Sequence, residues 1–534
     1  MSAEPSTTMT SPFRKRTLWL LTAILSYTIA VAQEHHRLTN LPHLYINTFS
    51  GQDVTSKETQ VLAKLWLVDE QDQVAFYDSV NIRGRGNATW NLKKKPYRIK
   101  FAQKTRLLGD DHANAKKWTL LANHGDKSLI RNALASYIGD LCGQPFTPAA
   151  QFVDLTLNGE YRGTYQISDQ IEVRKHRVDI EKQDFPLTEE SNITGGYLLE
   201  ADGTIDFNAG YTGFWTTRGV PVNIHYPDKD EIVNDQMAYI RDFVTLFEYR
   251  LFDLDFNSPE GYHHYVDSVS LASWYLASEI TANIDYLWSM YFYKEQNDQR
   301  LHFGPLWDYD IAFDNDRRMQ EMGNDPRRQL MADIGFTNVG TGEWIKRMWQ
   351  DPWFQQMILQ QYVKLYANGL ETKLFNKVDS LSQLLQQSQQ LNYQYWDIDQ
   401  RTQTEVVIFS TYEEYIDDLK QFIQVRVPSL LQAFAQLQSE PVDIDSLIEA
   451  VPIRSIRADD IDYALAYNRQ NLSLHFGTTD ISDLDFTAHI YNEAGRQVLS
   501  FPAKKRVSVE SLPSGLYIVT WGHQGRQRSA KFVR

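Results

Sequence analysis

The sequence predicts an α+β protein with a β-rich N-terminal part, a helical second half and a small all-β sandwich at the C-terminus. Three observations predict it. Short alternating runs broken by Gly, Asn and Asp fill Leu41 to about Phe101. Apolar residues recur at helical spacing from Asn234 to Thr281 and from Glu343 to about Leu437. Beyond Asp459 short strands follow at even spacing, with Asn, Gly and Pro between them. A chain of 534 residues, 42% hydrophobic, has room for about three domains with real cores. The expected divisions are a signal peptide at 1–32, a body at 33–440, a linker at 441–458 and the sandwich at 459–534.

Along the chain, Arg14-Lys15-Arg16 forms a basic start, Thr17 to Ile29 a mostly apolar run, and Ala30-Val31-Ala32 a cleavage site before Gln33. The apolar run is shorter than the roughly 20 residues a spanning helix needs, so export with no transmembrane segment in the mature chain is expected. His43–Asn47 and Pro96–Phe101 read as strands. Asp126 to Leu141 reads as an amphipathic helix, with Asp126 or Ser128 placed to cap it. Asn158-Gly159 between Phe152–Leu157 and Gly163–Ile167 is a hairpin signal. A second hairpin is expected from Tyr291 to Phe303, turning at Gln296-Asn297-Asp298. In the tail, strands are expected from Asp462–Tyr467 to Arg528–Val533.

Composition excludes several functions. With 53 basic against 68 acidic residues the net charge is −15, and such a surface repels a nucleic-acid backbone. Cys142 is the single cysteine, so neither an intramolecular disulfide nor a thiolate zinc site can form. Neither G-x-S-x-G nor H-E-x-x-H occurs.

The densest constellation of chemical groups lies between Asn283 and Asp316. Alternation in Trp307–Asp314 predicts a strand with Trp307, Tyr309, Ile311 and Phe313 on one face and Asp308, Asp310 and Asp314 on the other. Crowded acids repel unless a cation or protons neutralise them, so oxygen-liganded Mg²⁺, Mn²⁺ or Ca²⁺ suits them. An EF-hand is excluded, because Phe313 stands where that loop needs Gly. Upstream, a helix ends at Asn283-Ile284-Asp285. The order of helix, Asp loop, hairpin and Asp strand is that of the catalytic-loop Asp and the metal-binding Asp in protein kinases.

A second cluster, Arg83-Gly84-Arg85-Gly86-Asn87, precedes Lys93-Lys94-Lys95, Arg98 and Lys100. Glycines allow close approach, and the cations suit phosphate oxygens. Cations gathered here and acids gathered around Asp308, in an acidic body, suggest a site for a nucleotide with its metal. Two carboxylates would also serve a glycosidase, which has no need of the basic cluster.

Several runs together resemble the CotH kinase family, the spore-coat-H-like secreted atypical kinases. They are Ile82–Asn87 through Trp90, Lys95–Phe101, Trp118–Asn123 leading to Arg131-Asn132, Tyr161–Tyr165, Gly195–Glu200, Asn283–Asp285 and Pro305–Asp310. The resemblance covers about Leu41 to Leu437. It implies an atypical protein-kinase-like fold, with a β-rich N-lobe and a helical C-lobe, that transfers the γ-phosphoryl group of ATP to protein Ser or Thr with Mg²⁺ or Mn²⁺. It implies Asp285 and Lys100 as catalytic residues, Arg83, Arg85 and Lys100 toward the phosphates, and Asp308, assisted by Asp310 and Asn283, on the metal. Met290 stands where an Asn is expected five residues after the catalytic Asp, and Asp169 where a Glu is expected, leaving Glu200 as the alternative ion-pair partner of Lys100. Met290 supports a second reading, a catalytically silent binding or assembly module of the same fold. The tail, in Ile490–Arg496, Leu512–Val519 and Lys531–Arg534, resembles the type IX secretion sorting domain of Bacteroidetes. It implies that secretion machinery as a partner and an extracellular or outer-membrane location.

Overall fold

The computed structural model describes residues 35–205, 212–334 and 340–451 and, toward the C-terminus, 465–468, 473–476, 487–492, 495–502, 506–523 and 526–534. The expected signal peptide and the first part of the strand expected at Asp462–Tyr467 lie outside the described residues.

The N-terminal alternation becomes β1 (His43–Thr48), β2 (Val61–Val68), β3 (Val74–Gly84), β4 (Tyr97–Thr105) and β5 (Ala115–Leu121). Helix α1 (Arg131–Cys142) and the hairpin β6 (Gln151–Leu157) and β7 (Glu160–Asp169) follow. These strands close into a seven-stranded barrel in the order β1-β2-β3-β4-β5-β7-β6, and the closing pair, β1 with β6, is parallel. Period-two alternation fills the interior: Leu44 and Ile46, Val80 and Ile82, Ile99 and Phe101, and Val153 and Leu155 share one cluster. The Asn158-Gly159 turn forms as expected, both residues at positive φ (52° and 81°), as a two-residue hairpin requires.

The helix expected from Asp126 starts five residues later, at Arg131. Leu129 has φ 63°, outside the helical region, and Asp126 acts in the loop before the helix. Its carboxylate accepts from the backbone of Ser128 and of Arg131, both at 2.9 Å, and pairs with the Arg131 guanidinium, all of it buried. Asp126 thus serves the first turn of α1 from a distance.

Next come β8 (Tyr197–Ala201), β9 (Thr212–Trp215), β10 (Pro221–Tyr226), α2 (Asn234–Phe252), α3 (Ser268–Ile280), β11 (Met290–Lys294) and β12 (Leu301–Phe303). The five strands form one antiparallel sheet in the order β12-β11-β8-β10-β9. Its Tyr197, Leu199 and Ala201 join the main apolar core, whereas Leu198 packs with Ile171, Val173 and Val178 on the other face. Alternation therefore puts Glu200 on the face turned away from the main core. The helical half continues with α4 (Arg317–Glu321), α5 (Gly340–Met348), α6 (Pro352–Ala367), α7 (Leu370–Tyr395), α8 (Tyr412–Gln436) and α9 (Ile444–Ala450). Leu374, Val378 and Leu385 of α7 and Leu419, Phe422 and Leu430 of α8 enter the same core. Among the described residues no helix is long and apolar enough to cross a membrane.

The acidic strand expected at Trp307–Asp314 does not form. Residues 304–316 make an irregular loop with turns at 310–314, and Asp308, Phe313 and Asp314 have φ near +60°. Apolar and acidic residues alternate here because the loop lies on the core, with Tyr309, Ile311, Ala312 and Phe313 all buried, and not because the backbone is extended.

The tail contributes β13 (Leu465–Asn468), β14 (Ser473–Phe476), β15 (Thr487–Asn492), β16 (Gln497–Pro502), β17 (Arg506–Ser508), β18 (Leu516–His523) and β19 (Arg526–Val533). They form two antiparallel sheets, β13-β14-β17 and β16-β15-β18-β19. Leu474 of the first and Ala488, Ile490, Tyr517 and Val519 of the second share one apolar cluster.

Candidate active site

A cleft of about 770 Å³ is lined from three directions: by Arg83, Arg85 and Arg98 of the β3–β4 region, by Glu200 of β8, and by Asp285, Asp308 and Asp310. Arg83 and Arg98 are direct partners in the β3–β4 ladder, and Arg85 continues that edge with its backbone N–H on the Pro96 carbonyl at 3.2 Å. The connecting run needs its glycines. A Cβ on Gly84 would lie 2.4 Å from the Trp90 ring, and Gly86, at φ 83°, would place one 2.1 Å from Thr89 Oγ1. The Arg85 guanidinium stacks over Trp307 at 5.1 Å, so the basic run and the acidic loop touch.

The acidic wall is held by side chains rather than by a ladder. After α3, Asn283 caps a short 3₁₀ turn, accepting from the Asp285 N–H at 3.2 Å while its Nδ2 donates to the Asp308 carbonyl at 3.4 Å. Asn132 of α1 accepts from the Tyr309 N–H at 2.8 Å, and Arg131 donates to the Ala312 carbonyl at 3.1 Å. Asp308 opens onto the cleft, whereas Asp310 is buried beneath it.

Burial, with the Asp308 charge next in size, pushes Asp285 up to about 7; Arg318, whose Nη2 lies 3.9 Å away, opposes the shift. Asp308 is raised by its surroundings and by Glu200, with Arg85 and a hydrogen bond from Asp310 acting against this. Asp310 is raised further, by burial and then by Asp308, Asp285 and Asp126. Asp285, Asp308 and Asp310 thus hold their protons more readily than ordinary carboxylates.

The structure gathers Arg83, Arg85, Glu200, Asp285, Asp308 and Asp310 on one cleft but leaves Lys100 and Asn283 off its lining. Lys100 lies opposite Asn81 and Lys117 in the barrel ladder; Arg98, two residues earlier on the same face, reaches the cleft instead. Asn283 is fully buried with both polar atoms engaged, which makes it a brace between Asp285 and Asp308. Glu200 pairs with His225 at 2.7 Å, and Asp169 with Arg177 at 2.7 Å, so neither is an ion-pair partner of Lys100. Met290 is buried in β11 opposite Ala201; its neighbour Ser289 lines the cleft. Sequence analysis placed Lys94 and Arg98 in the basic cluster and Asn132 in a family-like run without giving Lys94, Arg98 or Asn132 a role of its own at the site, and it missed His124, which nothing local marks.

Asp308 and Asp310 are hard oxygen donors, which fits Mg²⁺ or Mn²⁺. Among the described residues, however, the group of three potential ligands with donor atoms all within 4.8 Å is Glu295, Asp298 and His302, on the β11–β12 hairpin. Asp298 there is already neutralised by Arg300 at 2.9 Å. A cation at Asp308 and Asp310 would complete its coordination with oxygens of a ligand.

Arginines are set against crowded carboxylates across one cleft of an α+β scaffold. The family model for the CotH kinase protein matches residues 82–430, more than half of the chain, and the chain belongs to that family. A comparison with curated proteins finds no match.

Proposed function

We propose that the protein is an exported atypical kinase that transfers the γ-phosphoryl group of ATP to Ser or Thr of another protein. The observation that carries this is the two-sided cleft, with Arg83, Arg85 and Arg98 facing Asp285, Asp308 and Asp310. In this reading the barrel acts as the N-lobe and the second sheet with its helices as the C-lobe. The arginines hold phosphate oxygens through charge-assisted hydrogen bonds. Asp285 accepts the proton of the acceptor hydroxyl as its oxygen bonds to phosphorus and the bond to the leaving ADP oxygen breaks. A carboxylate pushed up to about 7 suits a base at neutral pH. Asp308 and Asp310 are the residues to hold Mg²⁺ or Mn²⁺, which when bound supplies charge neutralisation at the phosphates. Asn283 and Asn132 position both acids.

The test is incorporation of labelled γ-phosphate into the protein itself or casein-like acceptors, with Mg²⁺ and Mn²⁺ compared. Asp285→Asn should cut turnover about a hundredfold or more with nucleotide affinity little changed. Equal incorporation by both proteins would overturn the kinase reading. Buried Met290 favours a second reading, a catalytically silent binding module; nucleotide binding without transfer in the wild type would select it. We further infer export through the N-terminal basic and apolar run, and type IX sorting by a β-sandwich tail that follows the linker at 441–458. Loss of surface or medium localisation on deleting residues 459–534 tests this.

A further inference from the structure

Lys94 is a buried cation that the proposed reaction leaves unused. It lies between β3 and β4, is 1% exposed, and lines the cleft. Its Nζ donates to the Thr164 carbonyl at 2.5 Å and to Asn392 Oδ1 at 3.0 Å, and lies 4.9 Å from the Tyr165 ring centre. None of these partners is an anion. An ammonium has three donors, and burying one without a counter-charge is costly unless the position is used. The charged groups acting on Lys94 are Asp154 of β6 and Lys127 of the loop before α1. Asp154 already accepts from Thr39, Tyr161 and Ser388. The cleft carboxylates act on one another and on Arg85 and Arg318 instead.

His124 provides a second, independent observation. It lines the same cleft, is 8% exposed, and its Nε2 has no partner. Burial and then Lys94 hold its ring neutral, with its pKa down to about 3. A held ammonium with a donor to spare and an unpartnered neutral imidazole, on a cleft that also carries arginines, are fitted to an oxyanion. We propose that Lys94 and His124 form an oxyanion subsite of the cleft that receives a phosphate group of the nucleotide. That carrier rests on the nucleotide reading above; inorganic tripolyphosphate offers the same chemistry without the nucleoside.

Burial lowers Lys94 to about 7, with Asp154 opposing and Lys127 assisting. The other groups against it, Thr164 and Tyr165 of β7 and Asn392 of α7, are uncharged, and His124 is neutral. Near pH 7 an arriving phosphate therefore draws a proton onto Lys94.

The experiment is titration calorimetry of the full chain at pH 7, without metal, in two buffers of different ionisation heat. The ligands are ATP, tripolyphosphate and adenosine. ATP and tripolyphosphate should bind with proton uptake and adenosine without it. Lys94→Met should weaken both anions by about tenfold or more and abolish the uptake, and His124→Phe should weaken them by a few-fold. Ser388→Ala is the control: it loosens the same barrel–α7 seam, where Ser388 bonds Thr164 and Asp154, without lining the cleft. If it reproduces the loss in Lys94→Met, Lys94 is a strut and the proposal falls. ATP binding unchanged in Lys94→Met overturns the subsite and leaves the nucleotide reading standing. Lys94-dependent tripolyphosphate binding without ATP binding keeps the subsite and removes the nucleotide. Should Lys94→Met fail to fold, absence of proton uptake in the wild type overturns the proposal, as does absence of binding by both anions.

Discussion

The two walls of the cleft are built on different principles. The arginine wall is a continuation of a ladder: Arg83 and Arg98 are cross-strand partners, and their directions follow from the pleat. The acidic wall has no ladder at residues 304–316 and takes its shape from Asn132, Arg131 and Asn283, which arrive from other parts of the chain. A wall of the first kind is stabilised collectively and tolerates single losses; one of the second kind depends on a few side chains, each placed by a different element. Removing either sort of support should separate the two.

The largest effect is expected at Arg131. Arg131→Met strands the buried Asp126 carboxylate and frees the Ala312 carbonyl, and should cost about 3–5 kcal/mol in urea unfolding. Next is Asp285, whose carboxyl is protonated more readily in the folded protein than in the unfolded chain. Its contribution is fully present below the usual carboxylate range and is lost as pH rises through about 7. Asp285→Asn should therefore be more stable than the wild type at pH 8, by ~2–3 kcal/mol, with the difference vanishing near pH 4. No gain at pH 8 would show that Arg318 keeps the carboxylate comfortable.

Asn283→Ala removes one hydrogen bond to each acid-bearing segment and should lower stability by about 1–2 kcal/mol while cutting turnover more than nucleotide affinity. An equal loss in both would mean that the brace serves binding, not the placement of Asp285. The smallest effect belongs to the ladder wall. Lys100→Ala should leave nucleotide affinity within about twofold, whereas Arg98→Ala should weaken it by about tenfold, since charge-assisted bonds contribute roughly 1.5–3 kcal/mol. A reversal of that order would restore Lys100 to the site.

The same contrast explains what the sequence made legible. The α+β class, the β1 and β4 strands, the Asn158-Gly159 hairpin and the gathering of Arg83, Arg85, Asp285 and Asp308 all follow from local alternation or short motifs. The barrel does not, because its closing pair joins β1 to β6, and no local pattern announces a partner so far along the chain. The acidic loop misled because burial of Tyr309, Ile311 and Phe313 imitates the period of a strand, while the positive φ of Asp308 leaves no mark on composition. Lys94 precedes β4 and lines the cleft, whereas Lys100 lies within that strand and does not. The place of Lys94 is settled by Asn392 and Thr164, far away in sequence.

The parallel pairing of β1 with β6 also orders events during synthesis. His43 to Ile46 find their partners at Asp154 to Leu157, so the first strand stays half-paired until the chain has grown through the hairpin that ends the barrel. Contacts so distant in sequence form slowly. Until then an apolar strand edge is open to any neighbour, and once the ring is shut no barrel edge remains to recruit another chain.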